Sequence, residues 1–171
     1  MIYYTIIKST IGQLGLVRNE KGLIKIYLPN EKISNDILKK DYPNNTIIED
    51  KTGFESVINQ LNEYFNGDRK EFNIKLDLQV SSFYKASLKE VFKVKYGTTA
   101  SYSDIAKKLN NPKAVRAVGS ANAKNPIPII IPCHRILNKN GKLGGYRGGL
   151  DMKKNLLSLE KNNINNGKKV D

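Results

Sequence analysis

The sequence predicts an α+β protein in two parts: a small antiparallel three-stranded sheet with helices over residues 1–80, then a mainly helical domain over residues 81–171. Three observations carry this. Short β-branched and aromatic runs broken by turn residues fill the first 28 positions, and helical periodicity takes over after Val80. Charge divides at the same place. The chain has 29 Lys+Arg against 16 Asp+Glu, a formal +13; residues 1–81 hold 11 basic and 11 acidic residues, whereas residues 82–171 hold 18 and 5. All of the excess lies in the second half, as a polyanion-binding domain requires.

Taken in order, residues 2–8 and 12–18 read as strands joined by a turn at Ile11 and Gly12, and Leu23–Leu28 as a third strand after the Lys21-Gly22 turn. Pro29 and Asn30 stop it. A helix is expected over Glu31–Lys40, followed by a loop over Asp41–Asn45 around Pro43. A second helix begins near Gly53; Phe54, Val57, Ile58, Leu61, Tyr64 and Phe65 repeat at helical spacing until Asn66-Gly67-Asp68 ends it. After Val80, Ser81 or Ser82 caps a helix that buries Phe83, Leu88, Val91 and Phe92. Ser101–Leu109 and Pro112–Ala123 then form two short helices about Asn110-Asn111, a helix-turn-helix outline with Pro112 near the first position of the second helix.

Composition narrows the classes. With 171 residues, 39% of them hydrophobic, the chain can bury a core and is no disordered tail. One cysteine excludes a disulfide framework, and one cysteine with one histidine cannot supply the four soft ligands of a structural zinc site, so no metal is expected. There is no secretory leader and no apolar run of membrane-spanning length, which predicts a soluble, cytoplasmic protein with no membrane partner.

The second helix of the outline has an unusual face. Val115, Val118 and Asn122 cluster on one side as expected core, whereas Arg116, Gly119, Ser120 and Ala123 form another. One long cation among nearly absent side chains lets a backbone lie close to a partner while a guanidinium reaches in. Gly119 costs the helix about 1 kcal/mol relative to alanine, which implies either a close approach or a distorted helix end.

The chemistry centres on Asn125-Pro-Ile-Pro-Ile-Ile-Ile-Pro-Cys-His-Arg135, where the one cysteine and the one histidine are adjacent. Pro126, Pro128 and Pro132 forbid an interior helix and predict an extended, rigid segment that presents Cys133. A free thiol is only about 3% thiolate at pH 7, so a nucleophilic Cys133 needs a base or cation, for which His134 and Arg135 are the local candidates. Adjacent strand residues point to opposite faces, so a turn or a bridging water is required between them. Glu160, beside the apolar stripe of Leu156 and Leu157, is the carboxylate able to orient the histidine.

Pro132-Cys133-His134-Arg135, preceded by Asn125-Pro126 and followed by Gly144-Gly145-Tyr146-Arg147-Gly148-Gly149-Leu150, resembles the O6-alkylguanine-DNA alkyltransferases from about Ser82 to Glu160. The resemblance implies a ribonuclease H-like first domain that supports a winged helix-turn-helix-like second one. It implies that Cys133 takes the alkyl group from guanine O6 as a thioether in a single turnover, with His134 as base through a water, Glu160 orienting it and Asn125 organising the turn. Tyr102 would contact the extruded base and Arg116 fill the vacated stack. Gly119, Ser120, Ala123 and Arg135 would meet DNA, and Tyr146, Arg147, Gly148 and Ile136 would wall the base pocket. The implied partner is double-stranded DNA holding O6-alkylguanine, with O4-methylthymine a further candidate, bound through the minor groove by a monomer in the cytoplasm or at a prokaryotic nucleoid. No cofactor is expected. Zinc ligands found near the N-terminus of some family members have no counterpart here. The alternatives are a lesion-binding protein without catalysis, a helix-turn-helix regulator, and a cysteine hydrolase. The last needs an oxyanion hole but no basic half.

Overall fold

A computed structural model describes residues 1–167, in two compact units that part between Gln79 and Val80. In the first unit, β1 (Ile2–Ser9), β2 (Gly12–Arg18) and β3 (Leu23–Tyr27) form the expected antiparallel meander. α1 (Asn35–Asp41) starts later than the sequence suggested, because Ser34 caps it with its hydroxyl accepting from the Ile37 amide. A fourth strand, β4 (Ile47–Glu49), pairs in parallel with β1 and makes the sheet mixed, in the order β3-β2-β1-β4. Three residues are too few for a periodic signal, and β4 forms only because the crossover through α1 returns the chain to the free edge of β1.

Leu14 and Leu16 on one face of β2 and Val17 on the other are fully buried, so the sheet is covered on both sides. Val17 joins Ile2, Ile24, Tyr27 and Leu38 in one apolar cluster. A 3-10 turn at Thr52–Phe54 leads into α2 (Glu55–Asn66), which buries Val57, Leu61, Tyr64 and Phe65 and ends at Gly67 in the left-handed region, φ 86°.

The second unit opens with α3 (Ser82–Phe92), capped by the Ser81 hydroxyl. Leu88 and Val91 are buried as expected, but Phe92 is 45% exposed at the last position of the helix. It lies about 100° further around the helix than Val91, beyond the buried stripe. β5 (Ala100–Ser101) runs directly into α4 (Tyr102–Lys108), where Ser101 and Asp104 form a capping box. α5 spans Val115–Ala123. Pro112 therefore lies in the preceding turn, which the Ala114 amide closes on the Asn111 carbonyl at 3.0 Å. α4 packs against α5 and α3 packs on α5, so the helix-turn-helix rests on the helix before it. Val118 is fully buried; Val115, expected in the core, is 36% exposed at the first turn of α5. β6 (Ile136–Leu137) pairs in parallel with β5 and ties the segment that carries Cys133 and His134 to the start of α4. α6 (Leu150–Gly167) completes the unit. Among the described residues no helix is long and apolar enough to cross a membrane.

Candidate active site

The proline-rich segment is not the extended arm its composition suggested. The Ile131 amide donates back to the Ile127 carbonyl at 3.0 Å, and Ile129 sits at φ 75°, a conformation costly for a β-branched residue. Prolines forbid a helix but permit such a turn. A 3-10 turn over Cys133–Arg135 follows, with the Arg135 amide on the Pro132 carbonyl at 2.9 Å. This is the turn that adjacent Cys and His needed.

Asn125, 2% exposed, holds the segment at both ends: its Nδ2 donates to the Ile131 carbonyl at 2.9 Å, and its Oδ1 accepts from the Ile127 amide at 3.0 Å. Asn122 Nδ2 donates to the Cys133 carbonyl at 3.3 Å. His134 and Glu160 are both fully buried, and His134 Nε2 meets Glu160 Oε1 at 2.8 Å. With Nε2–H given to the carboxylate, Nδ1 becomes the acceptor nitrogen of the ring. The Gly97 amide donates to Glu160 Oε2 at 3.0 Å.

Arg135 requires a correction. Expected at the DNA surface, its side chain is buried: Nη2 donates to Glu160 Oε1 at 2.9 Å, Nε to Oε2 at 3.0 Å, and Nη1 to the Val94 carbonyl at 2.6 Å. A carboxylate taken wholly out of water needs a full complement of donors, and the 3-10 turn carries Arg135 to the same side as His134. Burial pushes the Glu160 carboxyl up. The hydrogen bonds of His134 and Arg135 and the Arg135 charge overcome this and hold it down at about 2. Burial lowers His134 against the opposing pull of Glu160, so the ring is neutral at pH 7 and able to accept a proton. Burial raises the Cys133 thiol; a hydrogen bond with Asn125 and the charges of Arg147 and Lys153 pull the other way without cancelling it.

Beside this cluster is a cavity of about 550 Å³ lined by Tyr102, Val115, Gly119, Asn122 and Ala123 from the helix-turn-helix and by Asn138, Gly144, Gly145, Tyr146 and Arg147. Cys133, 4% exposed, is not part of the lining; the lining residue Asn122 holds its carbonyl, and the lining residue Arg147 donates from Nη1 to the Asn125 carbonyl at 2.7 Å. Tyr102, at the start of α4, lies against Gly144, where any Cβ would collide with its hydroxyl. Gly119 differs: a Cβ there would make only ordinary contact with Tyr102 Cδ1 at 4.0 Å. Arg116 and Ser120 are exposed on α5, and Gly148 is half-buried outside the lining. Ile136, expected in the pocket wall, is fully buried outside the lining, and its carbonyl accepts from Lys153 Nζ at 2.7 Å.

Lys153, Asn122 and Gly97 went unnoticed as site residues in the sequence. Lys153 is fully buried, with its ammonium also near the Gly144 and Gly145 carbonyls at 3.5 and 3.4 Å, so it fastens the cavity wall to β6. Among the described residues no group of three or more His, Cys, Asp or Glu could hold a metal ion.

Both halves of the chain match known proteins. Residues 82–162 match the family model described as 6-O-methylguanine DNA methyltransferase, DNA binding domain, and residues 2–78 match its ribonuclease-like domain. A Methanosarcina mazei protein named methylated-DNA--protein-cysteine methyltransferase is 47% identical over 164 residues, covering 95% of this chain and 99% of its own. An inducible protein of the same name from Bacillus subtilis is 36% identical, covering 94% and 90%. Among solved structures, Mycobacterium tuberculosis O6-methylguanine methyltransferase superposes with a TM-score of 0.84 at 37% identity, covering 95% and 94% of the two chains. The same organism's OGT in complex with DNA gives 0.83 at 38%, covering 94% of each. With both halves matched in order and a relative 47% identical over nearly the whole chain, the chain belongs to the 6-O-methylguanine DNA methyltransferase family, the O6-alkylguanine-DNA alkyltransferases.

Proposed function

We propose that this protein repairs DNA by direct reversal, moving the alkyl group of O6-alkylguanine onto Cys133 once per molecule. The observation that carries this is the buried His134–Glu160 pair at 2.8 Å, in a turn that begins with the chain's one cysteine, beside a cavity that the helix-turn-helix lines. A protein that only bound DNA would have no use for a neutral histidine oriented by a buried carboxylate next to a thiol.

The lesion is hidden in the stack, so the nucleotide must be turned out at a cost of a few kcal/mol, less where alkylation has already weakened pairing. α5 approaches through the minor groove, where the small side chains of Gly119 and Ala123 admit the backbone and Arg116 fills the gap. Lysines elsewhere in the second unit neutralise phosphates without reading sequence. The extruded base enters the cavity against Tyr102 and Tyr146. His134 Nδ1 takes the thiol proton through a water as the sulfur attacks. The S–C bond forms as the C–O6 bond breaks, its electron pair stays with guanine, and Tyr102 supplies a hydrogen bond to the leaving ring. The lesion is the donor, so no cofactor enters. A thioether does not leave again, and a chain with one cysteine has no second thiol to receive the alkyl group. The protein acts as a monomer in the compartment that holds the DNA, the cytoplasm or nucleoid, with the first unit supporting the second.

Mixing the protein with excess O6-methylguanine duplex should release unmodified duplex in a burst equal to the protein concentration and then stop; continued turnover contradicts the proposal. Gly119 supplies a second expectation. Because nothing in the folded chain forbids a Cβ there, Gly119→Ala should leave the melting temperature unchanged or raise it, helix propensity favouring alanine by about 1 kcal/mol. The same change should weaken duplex binding and slow transfer. Gel-shift and single-turnover assays measure both.

A further inference from the structure

We infer that Arg147 makes the alkyl pocket sort adducts by charge, favouring O6-alkylguanines whose alkyl group ends in an anion, such as carboxymethyl, over neutral groups of the same size. This rests on the alkyl transfer proposed above. Among the described residues, Arg147 is the one with a formal charge that lines the cavity. The 2.7 Å bond from Nη1 to the Asn125 carbonyl fixes its guanidinium at the cavity wall.

A second cation stands behind the first: the buried Lys153 ammonium on the Ile136, Gly144 and Gly145 carbonyls. Both act on the Cys133 thiol, which places the sulfur within their field. The alkyl carbon must reach that sulfur, so any group it carries enters the same field, at a depth where solvent screens little. Arginine is the side chain suited to a carboxylate there, since its planar fork can offer two parallel donors. The chemistry is unchanged. The thiolate attacks the methylene of O6–CH2–COO⁻, the C–O6 bond breaks with its electron pair on guanine, and Cys133 ends as S-carboxymethylcysteine.

The test uses full-length protein and three otherwise identical duplexes, with O6-methylguanine, O6-carboxymethylguanine and the isosteric, uncharged O6-carbamoylmethylguanine. Single-turnover rate constants give the carboxymethyl-to-carbamoylmethyl ratio for the wild type, Arg147→Lys and Arg147→Met. Taking the ratio relative to Arg147→Met cancels the intrinsic reactivities of the two adducts. That relative ratio should be at least tenfold for the wild type and remain above unity for Arg147→Lys. A value within twofold of unity for the wild type overturns the inference, as does Arg147→Lys behaving like Arg147→Met. Should Arg147→Met fail to fold, Arg147→Gln takes its place under the same criteria. Transfer from the methyl duplex without charge sorting defeats only this inference; no wild-type transfer from any of the three defeats the alkyl-transfer proposal beneath it.

Discussion

A Cys133→Ser protein should take no methyl group from O6-methylguanine duplex over a time in which the wild type reacts completely, while still binding that duplex within about twofold of the wild type. The hydroxyl is nearly isosteric with the thiol, and Asn122 contacts the backbone carbonyl of residue 133, so the turn and the cavity lining are kept. What is lost is nucleophilicity. A thiol is within a few pH units of ionisation and reacts as its thiolate, whereas a serine hydroxyl ionises far less readily and is a much weaker nucleophile towards the saturated carbon of an alkyl group. Measurable transfer by the serine protein would mean that another side chain accepts the carbon. Lost binding would mean that Cys133 shapes the cavity more than it does chemistry.

The second large effect belongs to Glu160. Its carboxylate receives His134, both faces of the Arg135 fork and the Gly97 amide. Glu160→Gln offers an NH2 where one set of these donors needs an acceptor, and it leaves a buried guanidinium without its counter-charge, a loss of about 3–5 kcal/mol. For a domain of ordinary stability that is a large fraction of the total. Where the variant is folded at low temperature, transfer should fall by roughly a hundredfold or more, because an unoriented histidine no longer serves as base.

The same carboxyl sets a pH signature. Its folded pKa of about 2 is below the ordinary 4.5, so its contribution to stability is complete above pH 4.5 and is lost as pH falls towards 2. Denaturant melts across that window should show wild-type stability falling more steeply than that of Glu160→Gln. Equal slopes would contradict the pairing.

Much of the site could be read from residue order, because its parts are rare and adjacent. One cysteine beside one histidine and a carboxylate on an apolar helix stripe pointed to Cys133, His134 and Glu160, whereas the part of Asn125 came from the family resemblance alone. The misses have a common physical origin. Lys153 occurs on an amphipathic helix among Lys154 and Asn155, where a lysine reads as solvent-facing; only the carbonyls of Ile136, Gly144 and Gly145, remote in sequence, make its burial possible. Arg135, two residues after the cysteine, reads as a cation for the thiol and, by the resemblance, as a DNA contact, but local order cannot reveal that Glu160 lacks donors until the turn brings them together. Gly97 has its role through φ 68° and an amide aimed at Glu160, neither of which leaves a pattern. The first unit shows the same limit. Its meander follows from turn chemistry between neighbours, whereas β4 owes its existence to a partner strand remote in the chain, Ile2 pairing with Ile47.

Intact-mass spectrometry after incubation with excess O6-methylguanine duplex, followed by peptide mapping, tests the central claim most directly. The account predicts one methyl increment per chain, wholly on the peptide carrying Cys133. An unmodified chain beside repaired DNA, or a methyl group on any other residue, would contradict it.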